Sequence, residues 1–378
     1  MLSKVYDTAI IGGGLAGLTL SISLAKQGYS VLLIEKETYP FHKVCGEYIS
    51  LESWDFLEKK IGVPLSEMNL PIIKKLWVTS PNGNSLYNDL DLGGFGISRY
   101  TLDNTLKNIA EKQGVTVLQN CKAEDIQFKE NIFTIKTTQQ IYHSKVCCGS
   151  WGKRSNFDVK WKRLFTTKTS DRLNNFVGIK YHVKTNFPID MIALHNFKDG
   201  YCGISKIEDN KYCVCYLTKA SNIKNAGSIE KAEELILSEN PHLKKLFANM
   251  DRLYEAPISI SQISFSKKNA VENNVLMLGD AAGMITPLCG NGMSMAIHSS
   301  KLASVSISAF LQNKITRQQL EKIYVKEWKT NFGTRVKTGK FIQYLFGRKL
   351  ITNVFLIIMN KSKFLTRKVM KLTHGKSF

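Results

Sequence analysis

Three glycines near the start of the chain have the spacing of a phosphate-binding turn. Gly12, Gly14 and Gly17 follow an apolar run that begins at Val5 and precede a helical pattern. In this setting the first glycine permits a tight turn, the second lets a pyrophosphate approach backbone N–H groups, and the third lets helix and strand pack closely. Glu35 ends the next apolar run, where a carboxylate can accept hydrogen bonds from an adenosine ribose. These residues predict a dinucleotide site but leave NAD and FAD undecided.

A second glycine-rich segment, much later in the chain, narrows the choice of cofactor. Residues 275–278 form an apolar run, residues 279–283 read Gly-Asp-Ala-Ala-Gly, and Gly292 and Met293 then open a helical pattern. This order resembles the second FAD signature of the para-hydroxybenzoate hydroxylase-like flavoproteins, a group that includes aromatic monooxygenases, flavin-dependent halogenases and geranylgeranyl reductases. The resemblance implies FAD, with Asp280 on the ribityl chain and the backbone of Gly292 and Met293 at the isoalloxazine. A helix N-terminus there favours negative charge on reduced flavin.

The same resemblance implies further contacts with the cofactor. Arg99 resembles the arginine at a helix start in this group, and Ala123 falls where the backbone of the group meets adenine. Cys45-Gly46 resembles the C-G-G stretch of geranylgeranyl reductase-like proteins, so Cys45 is a candidate beside the flavin. No motif assigns a histidine as general base, and the catalytic residues stay unknown. The expected cofactor-binding residues are Gly12, Gly14, Leu15, Ala16, Gly17, Glu35, Lys36, Arg99, Ala123, Gly279, Asp280, Gly292 and Met293, and the candidates near the reactive ring are Cys45, Pro287 and Gly290.

The chain departs from the group in two ways. Many monooxygenases of the group carry an Asp-Gly pair after the third strand that helps to bind pyrophosphate and the nicotinamide cofactor, but residues 147–154 read Cys-Cys-Gly-Ser-Trp-Gly-Lys-Arg. Lys153 and Arg154 supply positive charge for a phosphate in its place. The W-x-W-x-I-P string of tryptophan halogenases is absent, which argues against tryptophan chlorination. The expected electron donor is NADPH or NADH, with no basis for choosing between them.

The elements that must position these residues predict an α/β fold. A strand–helix–strand unit opens the chain, a helix begins near Arg99, and a strand precedes the late motif. Short alternating runs between residues 175 and 271 predict an antiparallel sheet, interrupted by a helix at 229–237. We therefore expect a Rossmann-like FAD-binding domain with an inserted antiparallel-sheet substrate domain and C-terminal helices. The expected limits are residues 1–75, 97–165 and 270–335 for the FAD-binding domain, 76–96 and 166–269 for the substrate domain, and 336–378 for a basic helical C-terminal segment.

Charge and composition restrict the partners and the location. The formal net charge is +21, from 52 Lys and Arg against 31 Asp and Glu, which attracts anions. The eight cysteines lack C-x-x-C spacing, so no metal site is expected. The start of the chain lacks a signal-peptide pattern and no apolar stretch reaches about 18 residues, so we expect a cytoplasmic protein. Residues 328–378 suit a helix that contacts an anionic membrane surface or an acidic carrier protein. They equally suit helices that pack on the catalytic domain and leave their lysines solvated.

Three functional interpretations follow from these observations. The first is an FAD-dependent monooxygenase that hydroxylates a small or acyl-carrier-bound organic substrate with NAD(P)H and dioxygen. The second is a geranylgeranyl reductase-like ene reductase, favoured by Cys45-Gly46 and the basic C-terminus. The third, from a different class, is a non-catalytic FAD-binding or carrier-docking protein, motivated by the missing Asp-Gly pair and the positive charge. No nucleic-acid partner is expected.

Overall fold

Two β-sheets and ten α-helices make up the described part of the chain. The structure is a computed structural model that describes residues 4–167, 175–285, 291–345, 347–362 and 375–378. The strands are β1 (Val5–Ile11), β2 (Val31–Ile34), β3 (Tyr48–Ser50), β4 (Ile72–Thr79), β5 (Ser85–Gly96), β6 (Thr116–Leu118), β7 (Ala123–Lys129), β8 (Ile132–Thr137), β9 (Ile141–Gly149), β10 (Phe176–Lys184), β11 (Met191–Phe197), β12 (Gly200–Lys206), β13 (Tyr212–Lys219), β14 (Asp251–Arg252), β15 (Ile258–Ile263), β16 (Val271–Glu272) and β17 (Val275–Met277). The helices are α1 (Leu15–Ala25), α2 (Arg99–Lys112), α3 (Asn156–Lys160), α4 (Leu164–Thr167), α5 (Ala220–Ala226), α6 (Ile229–Leu235), α7 (Pro241–Asn249), α8 (Gly292–Leu311), α9 (Arg317–Leu345) and α10 (Lys349–Lys361).

The first sheet has a parallel centre that carries both glycine-rich segments. Its strand order is β16-β17-β9-β1-β2-β6, and β7 and β8 extend it beside β9. The neighbouring pairs from β17 to β6 run parallel. All four residues of β2 are buried, as is typical of a parallel sheet covered on both faces. Because the carboxyl ends of parallel strands meet at one edge, Gly12, Glu35, Ser150 and Gly279 come together there.

Helix α1 is buried on nearly all sides, which positions the first turn firmly. It contacts β2 and also packs along α8. A hydrogen bond of 2.7 Å from Thr19 Oγ1 to Ser300 Oγ joins the two helices. An apolar helix without a polar stripe belongs in a core of this kind. The two helices that begin at the glycine-rich segments therefore support each other.

The second sheet has nine strands, and nearly all residues of its central strands β10 to β13 are buried or half-buried. Its order is β14-β10-β13-β12-β11-β4-β5-β3, with β15 on β10. All pairs are antiparallel except β4 and β11, which run parallel because the chain leaves and re-enters the sheet between them. Ile179, Val214 and Leu243 belong to the cluster between one face and helices α5 to α7. Leu194 and Leu217 belong to the cluster on the other face, which also includes residues of α10.

The observed elements differ from the expected limits at several points. The expected limit between residues 75 and 76 falls inside β4, and β3 also pairs in the second sheet. Helix α9 runs through the expected limit between residues 335 and 336 because no proline interrupts it. Helices α5 and α7 flank the expected helix at 229–237, which is observed as α6. The domain limits stay a prediction. No helix in the described part of the chain has the length and hydropathy that a bilayer crossing requires.

Candidate functional site

The three glycines of the first turn have different surroundings. Gly12 has a φ of +104°, and a Cβ there would lie 2.6 Å from the Ser150 carbonyl oxygen. A Cβ on Gly17 would overlap the Gly12 carbonyl oxygen. A Cβ on Gly14, in contrast, would meet no atom closer than 3.5 Å, the distance to Arg99 Nη2. Gly12 and Gly17 are therefore required by the packing of the turn itself, whereas Gly14 leaves open space beside the helix N-terminus.

Two cations lie beside the open space at Gly14. Lys43 Nζ lies 3.9 Å from the Cβ position of Gly14, slightly farther than Arg99 Nη2. Both cations bind Asp103: Arg99 Nε donates at 2.8 Å and Lys43 Nζ at 3.1 Å. Burial alone would raise the pKa of Asp103, but the charges of Arg99 and Lys43 hold it below its usual value. The buried carboxylate thus fixes two positive groups where an anion would meet the start of α1.

Glu35 lies at the end of β2, close to the turn. Its Oε2 accepts a 2.7 Å hydrogen bond from the Gly13 N–H, and its Oε1 accepts one of 3.1 Å from the Glu37 N–H. Lys36 is exposed and pairs with Glu37 at 3.4 Å. Ala123 begins β7 and is buried, just after a segment that bonds to the Glu35 carbonyl through Cys121 N–H. Glu35 and Ala123 are therefore near the same edge of the sheet, and Lys36 points to solvent.

The late segment is held against the first turn. Gly279 lies next to α1, since a Cβ on it would be 3.5 Å from Ala16 Cβ. Its N–H donates to Ser299 Oγ at 3.0 Å. The buried Lys268 donates at 2.7 Å to the Asp280 carbonyl oxygen, and burial lowers the pKa of Lys268 to about 8. These contacts fix the backbone of the late motif without using the Asp280 carboxylate.

One cavity joins the two segments with the second sheet. Its volume is about 210 Å³, several times the roughly 30 Å³ that one water occupies. The predicted site residues that line it are Gly14, Leu15, Ala16, Cys45, Arg99, Gly279, Asp280, Gly292 and Met293. Gly12, Gly17, Glu35, Lys36 and Ala123 do not line it, whereas Pro287 and Gly290 lie outside the described residues. The second sheet contributes an apolar wall that includes Leu194, Tyr201 and Leu217.

The sequence of this chain is similar to one family model and to several known proteins. Residues 10–44 match the family model of the NAD(P)-binding Rossmann-like domain. Conditioned medium factor receptor 1 of Dictyostelium discoideum is 26% identical over 96% of this chain and 75% of its own. Digeranylgeranylglycerophospholipid reductase 1 of Methanococcoides burtonii is 23% identical over 90% of this chain and 84% of its own. The 1H-pyrrole-2-carbonyl peptidyl-carrier-protein chlorinase of Pseudomonas fluorescens is 22% identical over 82% of this chain and 77% of its own.

A solved structure shares the whole fold. A flavin-dependent brominase superposes with a TM-score of 0.78 at 19% identity, covering 98% of this chain and 93% of its own. The chain is an FAD-dependent oxidoreductase, and these relatives support its resemblance to the para-hydroxybenzoate hydroxylase-like group. The expected α/β fold with a Rossmann-like FAD-binding domain and C-terminal helices is confirmed for this flavoprotein. FAD is its supported cofactor, and the nicotinamide donor stays a prediction.

The residues of this flavoprotein fit FAD. Gly14 is the N-cap of helix α1 and provides no side-chain cap, so the first N–H groups of the helix are open to a pyrophosphate. Arg99 and Lys43 add positive charge at the same place. Asp280 and the first turn of α8 line the other side of the cavity, at a distance along the chain that only the fold brings together. The individual contacts with FAD stay predictions.

One buried group of charges in the flavoprotein is not among the residues that the sequence predicts for the site. Glu47 lines the cavity, and its carboxylate is bonded by Lys180 Nζ at 2.6 Å and by His182 Nε2 at 2.5 Å. Burial alone would raise the pKa of Glu47, but the His182 hydrogen bond and the Lys180 charge lower it to about 2. The available signal was the presence of Lys180 and His182 within an otherwise apolar strand. Such a pattern more often indicates a strand with one face exposed to solvent.

Proposed function

We propose that this flavoprotein is a monooxygenase that hydroxylates an apolar organic substrate, free or bound to an acyl carrier, with NAD(P)H and dioxygen. The observation that carries the proposal is the apolar wall that the second sheet turns toward both FAD motifs. Leu194, Leu217 and Ile263 belong to this wall, and Met284 extends it from the late segment. An apolar wall of this kind binds a hydrophobic substrate and excludes water from the reacting atoms.

The known relatives support the substrate class. The chlorinase of Pseudomonas fluorescens is named for a pyrrole carbonyl group held on a peptidyl carrier protein, and the superposed structure is a flavin-dependent brominase. Both names describe halogenation. The net charge of +21 suits an acidic carrier protein as the donor of such a substrate.

Residues in and beside the cavity have different roles in binding the cofactors. Bound FAD supplies the electron transfer. The start of α1, Arg99 and Lys43 offset the charge of the pyrophosphate, and the Asp280 carboxylate accepts hydrogen bonds from the ribityl hydroxyls. Lys153 also lines the cavity, where its Nζ donates to the Val44 carbonyl oxygen at 3.2 Å. We assign to Lys153 the positive charge that the phosphates of NAD(P)H need in the absence of the Asp-Gly pair.

Substrate-stimulated oxidation of NAD(P)H tests the proposal. Purified protein with FAD is screened against aromatic and aliphatic compounds, free and carrier-bound, while NAD(P)H absorbance and dissolved oxygen are recorded together. A substrate should raise both rates and yield a hydroxylated product. Gly203→Leu narrows the cavity from the second sheet, where a Cβ meets its nearest atoms at 3.6 Å, and should raise KM without loss of FAD. Consumption of NAD(P)H that no compound stimulates contradicts hydroxylation.

Reduction of a carbon–carbon double bond is the second candidate. Cys45 lines the cavity, and the relative from Methanococcoides burtonii is named a digeranylgeranylglycerophospholipid reductase. An ene reductase needs no dioxygen, since its substrate takes up the two electrons as a hydride together with one further proton. Turnover of an isoprenoid substrate with NADPH under anaerobic conditions would favour this candidate, and strict dependence on dioxygen would exclude it.

We also propose that helix α10 contacts an anionic membrane surface. Leu356 and Met359 of α10 are buried against the second sheet. The opposite side carries five aliphatic residues that are 36% to 80% exposed, namely Leu350, Ile351, Val354, Ile357 and Ile358. Residues 328–378 contain no Asp or Glu, and Arg348, Lys349 and Lys361 stand at the ends of the helix. An exposed apolar side between basic ends fits the interface of an anionic bilayer.

Sedimentation with liposomes tests this contact. The parent should sediment with phosphatidylglycerol-containing vesicles and less with phosphatidylcholine alone, and added salt should release part of it. Val354→Gln with Ile357→Gln should abolish sedimentation, whereas Val305→Gln, at a similarly exposed site on α8, should not change it. A double variant that sediments like the parent, or a parent that ignores anionic vesicles, contradicts the contact.

A further inference from the structure

The buried carboxylate of Glu47 has a position that its surroundings must enforce. Glu47 is fully buried and has a φ of +54°, in the left-handed region that non-glycine residues rarely occupy. A residue keeps such a conformation only where its neighbours hold it, and such residues cluster at functional sites. Three donors reach its carboxylate: Lys180 Nζ, His182 Nε2, and the backbone N–H of Arg99 at 2.8 Å. The side chain therefore connects three separate segments of the chain.

One face of the second sheet forms hydrogen bonds with each residue of the loop 45–47. Lys180 and His182 are two residues apart on β10, so they point to the same face. The adjacent strand places Cys213 opposite His182, and Cys213 Sγ donates to the Cys45 carbonyl oxygen at 3.2 Å. The next strand places Ser205, whose Oγ donates to the Gly46 carbonyl oxygen at 3.5 Å. Residues 45–47 are thus bonded to three consecutive strands of the second sheet.

The loop and the start of α2 both carry side chains of the cavity. Cys45 lies in the loop and Arg99 is the first residue of α2. Both line the cavity together with Glu47. Lys180 and His182 do not line it, so they act on the cavity through Glu47. We propose that Glu47 is the positioning residue of this site: its carboxylate ties the Cys45 loop and the start of α2 to β10. This inference rests on FAD binding at the cavity and not on hydroxylation.

A bound metal ion is the competing explanation for the cluster. One ligand atom each from Glu47, His182 and Cys213 lie within 4.8 Å of one another. The Lys180 ammonium, however, already bonds the Glu47 carboxylate at 2.6 Å, and a metal cation would be repelled at that distance. Since Lys180 is fully buried as well, it supplies the positive charge that a metal would otherwise bring.

The test compares the accessibility of Cys45 and the affinity for FAD in matched variants. Glu47→Gln removes the charge, and Glu47→Gln with Lys180→Met removes the pair without leaving a buried ammonium alone. Glu233→Gln is the control, because Glu233 is also buried but lies on α6. It is bonded by Tyr181, Tyr216 and Arg252, none of which supports the Cys45 loop. The measurements are the rate of Cys45 alkylation by iodoacetamide in FAD-free protein, mapped by mass, and the Kd for FAD.

Both Glu47 variants should raise the alkylation rate and the Kd for FAD roughly tenfold, the effect of losing about one charged hydrogen bond. Glu233→Gln should leave both unchanged even where it lowers the Tm. If Glu47→Gln does not fold, the double variant gives the same two measurements. Parent-like values in a folded Glu47 variant overturn the proposal, as does stoichiometric zinc that His182→Gln removes. A parent that binds no FAD would refute the proposed function, while the alkylation rates would still test Glu47.

Discussion

At the scale of single residues, Gly14 is the glycine whose small size serves the ligand. Gly12 and Gly17 are confined by protein atoms, whereas Gly14 faces open space and two cations. The three glycines therefore meet two different requirements: Gly12 and Gly17 are needed for folding, and Gly14 is needed for binding. Substitutions at Gly14 and Gly17 can distinguish the two requirements.

Gly14→Val should fold but should lose FAD. Its Cβ meets no protein atom closer than 3.5 Å, yet the branched side chain fills the place of the pyrophosphate. We expect the Kd for FAD to rise roughly tenfold or more, since charged hydrogen bonds to the backbone N–H groups are lost. Flavin absorbance after gel filtration and the Tm of the FAD-free protein report the two effects. Gly17→Val is the matched control and should not fold, because its Cβ would overlap the Gly12 carbonyl oxygen. A folded Gly14→Val protein that keeps FAD would contradict the assignment of the pyrophosphate to the space beside Gly14.

Glu47 should make stability depend on pH in acid. The pKa of Glu47 is about 2 in the folded chain against 4.5 for an unperturbed glutamate. A carboxyl with a lowered folded pKa stabilises the protein above its unfolded pKa and loses this contribution as the pH falls. The stability advantage of the parent over Glu47→Gln should therefore stay constant above about pH 5 and shrink between pH 4.5 and 2.

Urea unfolding of both proteins at a series of pH values measures this difference. Glu233→Gln provides the opposite control, because burial raises the pKa of Glu233. The parent should gain stability relative to Glu233→Gln as the pH falls. Equal pH dependence of the two differences would show that Glu47 is not charged in the folded protein.

At the scale of elements, two buried cations hold the backbone of the late glycine-rich segment in place. Arg163 lies beyond α3, and its guanidinium donates to Asp158 at 2.8 Å and to the carbonyl oxygens of Asn269 and Ala281 at 3.0 Å. Lys268 adds the bond to the Asp280 carbonyl oxygen. The backbone of the late segment is thus fixed from outside the cavity, and its side chains stay available for FAD.

Arg163→Met should destabilise the protein strongly. The substitution leaves the buried Asp158 carboxylate without its cation, and removal of one partner of a buried pair costs about 3–5 kcal/mol. Lys75→Met breaks a solvent-exposed pair with Asp190 that water screens, so it should destabilise the protein far less than Arg163→Met does. Chemical unfolding of the FAD-free proteins measures both values. Equal small losses would mean that Arg163 does not hold this segment.

The elements also show what a sequence can predict. β1 follows the apolar run after Lys4, and α1 begins directly after the glycine turn, because period and turn chemistry are local properties. Helices α5 and α7 have seven and nine residues, too short for their periodicity to stand out. The parallel pairing of β4 with β11 joins segments more than a hundred residues apart, and no local signal encodes it.

At the scale of the whole molecule, the cavity depends on contacts that sequence spacing does not reveal. The two glycine-rich segments were recognisable because each has its own local pattern, and the fold brings them to one edge of the first sheet. The wall opposite them comes from the second sheet, and Glu47 meets Lys180 across 133 positions of sequence. A lysine in a strand normally predicts a solvent-facing side, so burial of this pair follows only from the packing of the two sheets.

The affinity for FAD of the parent and of Asp280→Ala tests the central claim most directly. Isothermal titration of the FAD-free proteins gives both dissociation constants, with Asp280→Asn as the control that keeps a hydrogen-bond acceptor. We predict that the parent binds stoichiometric FAD and that Asp280→Ala raises the Kd roughly 10- to 150-fold, the equivalent of about 1.5–3 kcal/mol of charged hydrogen bonding. A parent that binds no FAD, or an Asp280→Ala protein that binds it as tightly as the parent, would contradict the assignment of this cavity to FAD.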